Sequence, residues 1–346
     1  MYKFNSDAID AGTRLRLEEE FFSNRFTLSY SGLNRLLYSP QLFYNDYVLK
    51  GKQESIDKYL VEGKLIHCLL LTPSEFEKQF AITPKDLPSD SAKALLHSLF
   101  AHHTELSQTD DYDGRTQLEE YGNAILDILV DMNLHQSLKT DAQRLEKIII
   151  DKNIEYWNYL LNADGRSIID DNQLEFAKQV VETIKAKSRI NQLMGLTTDP
   201  FDKVQVLNEF YVHLPAEHLP FDLKGFIDNL VIDHNAKVIR INDLKKSSKD
   251  IQNFKDSIDY YRYDLQAAMY YNLIVNTLAK EYGYDVEFRF VVVDSLMQVA
   301  PYKVSEKTMA EWVNNLNTKL EEASYHFEKR DFDLPYLFAV NHEVEL

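Results

Sequence analysis

The chain has 346 residues, and its 55 acidic against 38 basic side chains give a formal net charge of −17, which leaves nucleic acid no uniformly basic surface to bind. Its 45% apolar content can fill one large core or two small ones, yet no window reaches the ~18 uncharged apolar residues of a membrane span. Cys68 is the only cysteine, which excludes an intramolecular disulfide framework and any zinc or iron–sulfur site built from several cysteines. The first residues, MYKFNSDAIDAG, have no apolar segment of the secretory kind, so a cytoplasmic setting is expected.

Residues 1–25 read as an N-terminal arm, and residues 26–346 as a single domain with a mainly helical part up to residue 200 and a sheet core with a closing helix from 201 onward. FTLSYSGLNRLLYSPQLFYNDYVLK (26–50) reads as a short extended piece followed by two helices, with Ser29 or Ser31 as a cap and Pro40 in the first turn of the second. In DKYLVEGKLIHCLLLTPSEFEKQF, residues Leu60, Lys64, His67 and Leu71 share one helical face. A lone histidine in such an apolar run is ordinarily a satisfied core residue. Glu62 is a second acid nearby, but five positions from His67 it points away from that face.

Residues 85–200 read as mainly helical, with polar interruptions near Asp110–Gly114 and Asp164–Arg166. His102 and His103 are helix neighbours that point apart, and both read as surface. Gly51-Lys52 and Gly63-Lys64 lack the Ser or Thr and the upstream glycine of a phosphate loop, so neither a motor nor a bound nucleotide is expected.

From Val204 the texture changes. VQVLNEFYVHL, LKGFIDNLVID and KVIRINDL are successive strand candidates, the last two joined by a turn at His234-Asn235. Glu209 sits in the first. On the third, alternation puts Ile239, Ile241, Asp243 and Lys245 on one side, so an acid and a lysine project together from the strand end. A polar helix ending in YRYDLQAAMYY follows, then EFRFVVVDS as a central strand, MQVAPYKVS as an edge strand and EKTMAEWVNNLNTKLEEASYHFEKR as the closing helix. Between Lys237 and Tyr263 seven basic residues stand against four acids, a local field of the sign DNA needs. Read alone, this is equally an ordinary solvated helix face.

Acid-x-Lys occurs three times, at Glu62-Gly63-Lys64, Asp222-Leu223-Lys224 and Asp243-Leu244-Lys245. Only the third ends a predicted strand, follows a strand carrying Gly225-Phe226-Ile227-Asp228, and precedes Gln266-x-x-x-Tyr270. That combination resembles the RecB-type branch of the PD-(D/E)xK nucleases. DLKKSSKDIQNFKDSIDYYRYDLQAAMYY narrows the likeness to the RecE (exonuclease VIII) family of phage-type recombination exonucleases. Ser39 stands where the iron–sulfur members carry a cysteine, so no cluster is expected. Gly63, His67, Leu70 and Leu71 fit the family's metal-binding G-x-x-x-H-x-x-L-L helix.

The resemblance implies an α/β fold, a restriction-endonuclease-like core with a central mixed sheet flanked by helices and a helical N-terminal elaboration. It implies Mg²⁺ or Mn²⁺ held by His67, Asp228, Asp243 and the Leu244 carbonyl, with Glu209 as a further acid. Lys245 would orient or deprotonate the attacking water, and Gln266 and Tyr270 would touch the DNA backbone or hold Lys245. Without the family these two are helix surface. Lys246, Lys249 and Arg262 complete the DNA contacts. The implied activity is ATP-independent degradation of linear duplex DNA from its ends, 5′ to 3′, in a bacterial cell or phage-infected host. The implied partners are a RecT-like annealing protein and further copies in a ring. The alternatives are a RecB-like endonuclease or end-trimming nuclease of a defence system, and a non-catalytic scaffold. Two neighbouring carboxylates also imply that removing one slightly stabilises the metal-free chain.

Overall fold

A computed structural model describes residues 10–51, 58–109, 112–163, 165–197, 203–341 and 343–344. The chain divides into two compact units, one of Met1–Ser55, Leu70–Thr72 and Gln179–Leu346, the other of Ile56–Leu69 and Pro73–Lys178. Its strands are β1 (Thr27–Ser29), β2 (Phe80–Ile82), β3 (Ser167–Ile169), β4 (Val204–Leu214), β5 (Asp222–Asp233), β6 (Val238–Lys246), β7 (Asp285–Val293) and β8 (Val299–Lys303).

The first unit holds a six-stranded mixed sheet in the order β1-β5-β6-β7-β8, with β4 also on β5. β4, β5 and β6 form the antiparallel meander that their apolar runs predict, β7 joins β6 in parallel, and β8 returns antiparallel. Helices flank it, so the α/β class expected from the sequence is the class observed. Ile227, Leu230, Ile232, Ile239, Ile241, Phe288, Phe290 and Val292 share a buried core with Leu265, Met269 and Leu273 of the helix Tyr263–Ile274 and Leu316, Leu320 and Phe327 of the closing helix Glu306–Lys329. Each such side chain contributes about 1.5–3 kcal/mol by leaving water. Residues 11–23 of the expected arm are a helix capped by Asp10, and Phe21 and Phe22 pack their rings against Phe327 and Phe332. Ser29 is the cap of the next helix, accepting from the Gly32 N–H at 3.2 Å.

The second unit contains the parallel pair β2–β3, two three-residue strands inside a stretch read as helical. Its core gathers Leu95, Leu99, Tyr121, Ile125 and Trp157. The surface assignment of His103 is corrected here: its Nδ1 lies 2.6 Å from the Tyr121 hydroxyl and its ring meets Trp157 edge-on, while His102 is exposed. Asp110, Asp111 and Asp164, from the two expected interruptions, lie outside the described residues. Among the described residues no helix is long and apolar enough to cross a membrane.

Two irregularities shape the sheet. Ile227 and Leu230 both face the same core although strand alternation would separate them, and Leu207 and Phe210 of β4 do likewise. Both strands therefore slip by one residue, at Glu209 and Asp228, and the register on either side is unchanged, Asn208 opposite Asn229 and Phe210 opposite Ile227. Glu209 takes up the slip with a left-handed φ of 48°, a conformation that costs a non-glycine residue about 1–2 kcal/mol. The second irregularity is a break in the helix expected to run into YRYDLQAAMYY. It is two helices, Phe254–Tyr261 and Tyr263–Ile274, separated by Arg262 at φ 56°, whose N–H closes the first on the Ile258 and Asp259 carbonyls.

Candidate active site

β5 changes partner along its length. Its first residues pair with β1 and its last with β6, where the ladder ends at Asn229 opposite Asn242. Beyond that point β6 continues against β7 alone. The strands thus fork where Asp228 and Asp243 stand across from each other. Asp228 reaches over the fork, and the Leu244 N–H donates to its Oδ2 at 2.8 Å. In a strand the N–H and C=O of one residue leave on the same side, so the Leu244 carbonyl also faces Asp228's side.

Asp243 and Lys245 project together, as alternation predicts, and the Lys245 Nζ lies 2.5 Å from Asp243 Oδ2. Asp228 and Asp243 are both buried. Burial pulls the Lys245 ammonium down, but the Asp243 and Asp228 carboxylates outweigh it and hold its pKa above the ordinary lysine range. Lys245 is therefore a charged donor in this state. Its ammonium also sits 4.7 Å from the centre of the Tyr263 ring, a cation–π contact.

Gln266 and Tyr270 are buried, not helix surface, and the Gln266 Nε2 donates to the Tyr270 hydroxyl at 3.2 Å. Burial pushes the Tyr270 hydroxyl well up, helped by the Asp228 and Asp243 carboxylates. Gln266 Oε1 is buried with no hydrogen-bond partner among the described residues. Gly225 makes the approach of this helix possible. A Cβ there would stand 2.9 Å from Tyr270 Cε1 and from Leu273 Cδ1. Gly225→Ala is expected to cost about 1–3 kcal/mol by overpacking and to displace Tyr270, read as a lower urea midpoint together with lost activity. An unchanged midpoint would show that the contact yields freely.

Behind the fork, three asparagines in apolar strands form a ladder. The Asn242 amide donates to Asn229 Oδ1 and the Asn229 amide to Asn208 Oδ1, both at 2.8 Å. The same amides reach the carbonyls of Leu193 and Met194, while Asn208 reaches that of Leu71, so the last turns of two helices are satisfied by side chains of the sheet. Asparagine is depleted in strands, and its recurrence at 208, 229 and 242 was the signal available.

His67 is half-buried on the helix Lys58–Leu71. Glu209 and Asp228 each offer a carboxylate oxygen within 4.8 Å of the other. Glu209 thus stands beside Asp228, while Asp243 is held by Lys245. Of the remaining expected contacts, Lys246 is half-buried, Lys249 is exposed and paired with Asp256 at 3.3 Å, and Arg262 leans on Asn34 at 3.4 Å.

Residues 27–333 fit the family model of the PD-(D/E)XK nuclease superfamily. The chain belongs to that superfamily. Carboxylate oxygens such as those of Glu209 and Asp228 suit a hard divalent metal. Among solved structures the chain is similar to a "Putative exonuclease" from Eubacterium rectale, at 11% identity and a TM-score of 0.46, covering 100% of this chain and 95% of that one. It is also similar to SSO0001, at 15% identity and a TM-score of 0.23, over 48% of this chain and 76% of that one. No curated protein matches the sequence.

Proposed function

We propose that the chain is a Mg²⁺- or Mn²⁺-dependent, ATP-independent exodeoxyribonuclease of the RecE kind, which degrades the 5′ strand of linear duplex DNA and leaves 3′ single-stranded tails for recombination. The observation that carries this reading is the fork at Asp228 and Asp243, with the Lys245 ammonium held beside it. His67, Glu209, Asp228, Asp243 and the Leu244 carbonyl would hold the metal. When bound, it lowers the pKa of a coordinated water and offsets charge on the scissile phosphate. Lys245 would donate to the attacking water or to a phosphate oxygen, with Tyr263 holding the ammonium in place. Gln266 and Tyr270, buried as a bonded pair, fix the inner wall of the site. Lys246, Lys249 and Arg262 meet the DNA backbone, and the resemblance to the RecE family implies a RecT-like annealing protein and further copies in a ring as partners, in a cytoplasmic setting.

The direct test is cleavage by the purified chain with Mg²⁺ or Mn²⁺ and no ATP. Linear duplex should be degraded and covalently closed circles spared. Cutting of circles at a comparable rate would replace this reading with an endonuclease.

The metal assignment has its own test. His67→Asn is expected to weaken Mn²⁺ binding about tenfold in calorimetric titration and Mg²⁺ binding less, because an imidazole favours the softer ion. Undiminished Mn²⁺ affinity in a variant of lower melting temperature would return His67 to the role of a core residue.

A further inference from the structure

Two residues along from the carboxylates, the sheet carries an aromatic pair that the site does not use. Tyr211 and Phe226 are direct register partners on β4 and β5, with ring centroids 5.1 Å apart. They are 49% and 54% exposed, while their strand neighbours Val212, Gly225 and Ile227 are buried against the core on the other face. An open sheet face ordinarily carries polar side chains, so a paired Tyr and Phe there is a departure with a cost in water.

The rows on either side say what fits it. One step back are Glu209 and Asp228, and one step on are His213 and Lys224, again register partners. His213 is held by Asp222 at 3.3 Å, and Lys224 is half-exposed. Successive rows are about 7 Å apart, two strand residues. In order along the two strands there follow the carboxylates at the slip, an aromatic surface and an ammonium. A nucleic-acid strand offers charged phosphates with flat bases between them, and two phosphates two nucleotides apart match the outer rows.

We propose that Tyr211 and Phe226 are a stacking platform for one unpaired nucleobase of the DNA strand whose phosphate lies at Asp228, with Lys224, about 14 Å from Asp228, meeting a phosphate further along that strand. This rests on the nuclease reading above. The platform takes any base, because every base has a π-face, and it requires that the base be unpaired. It thus favours ends that are frayed or already single-stranded.

The test uses the full chain and short duplexes carrying 2-aminopurine at successive terminal positions, with Ca²⁺ in place of Mg²⁺ during binding. Fluorescence at one position should be quenched by stacking in the wild type and not in Tyr211→Ala or Phe226→Ala, each of which should bind about tenfold more weakly. An abasic unit at that position should weaken the wild type by the same factor and leave the variants unaffected, the signature of one shared contact. Phe226→Leu, which keeps the apolar volume and loses the ring, should behave like Phe226→Ala and serves if the alanine variants do not fold. Cleavage of DNA by a wild type that is indifferent to the abasic unit overturns the platform and leaves the nuclease reading standing. A wild type that neither binds nor cleaves DNA overturns both. A change in sedimentation of the DNA-free chain on Phe226→Ala assigns the pair to a contact between copies and overturns the platform.

Discussion

Asp228→Asn and Asp243→Asn will each lower DNA cleavage by about a thousandfold or more, the equivalent of roughly 4 kcal/mol of transition-state stabilisation. Each change removes a charge from the fork without removing volume, so the loss belongs to chemistry. Single-turnover assays at saturating Mg²⁺ measure it, and normal turnover in either variant would place the site elsewhere. The effects on stability differ from what neighbouring carboxylates suggest in the sequence. The relief of repulsion expected there is outweighed, because Asp243 is the buried partner of Lys245 and Asp228 accepts the Leu244 N–H. Asp243→Ala, which leaves a largely buried ammonium without its carboxylate, should destabilise the metal-free chain by about 3–5 kcal/mol.

Lys245→Met will lose cleavage by about 10²–10³-fold while still binding Mn²⁺. An ammonium cannot coordinate a cation, so its contribution is to water and phosphate. The variant leaves Asp243, 1% exposed, without its cation, and the metal-free chain should melt lower. Saturating Mn²⁺ should recover much of that loss, since it binds the folded state and supplies the missing positive charge. Calorimetric titration beside thermal melts separates the two effects. If Lys245→Met lost metal affinity as fully as Asp228→Asn, the division of labour between lysine and carboxylates would be wrong.

The meander and the two parts of the site on it were legible because long apolar runs and period-two alternation survive in β5 and β6. Asp243 and Lys245 share a side for that reason alone. The slip at Glu209 and Asp228 was not legible, since no glycine or asparagine marks the left-handed residue and both strands slip together, leaving the register intact. Arg262 hid the helix break in the same way, as arginine is no left-handed former. β2 and β3 are too short for any periodicity. Gln266 and Tyr270 read as surface because burial here follows from Gly225, a residue on another strand. The platform is hidden in the sequence because an exposed Tyr and Phe look like core residues until the register shows which face they occupy.

The pairing of Thr27 with Asp222 spans about 200 residues of chain, and its effect is on the order of events during synthesis. When β1 leaves the ribosome, neither β5 nor any other strand of its sheet exists. The intervening residues, with their own core around Trp157, can condense first as a local cluster. Through all of that time β1 and the helices that follow it wait with Leu28, Leu33 and Leu36 uncovered. The two acids of the fork arrive later still, and Lys245 only a few residues before the helix that encloses it. A chain that stops before Asp228 therefore lacks both acids of the fork, and a ribosome stalled there releases nothing that can assemble it.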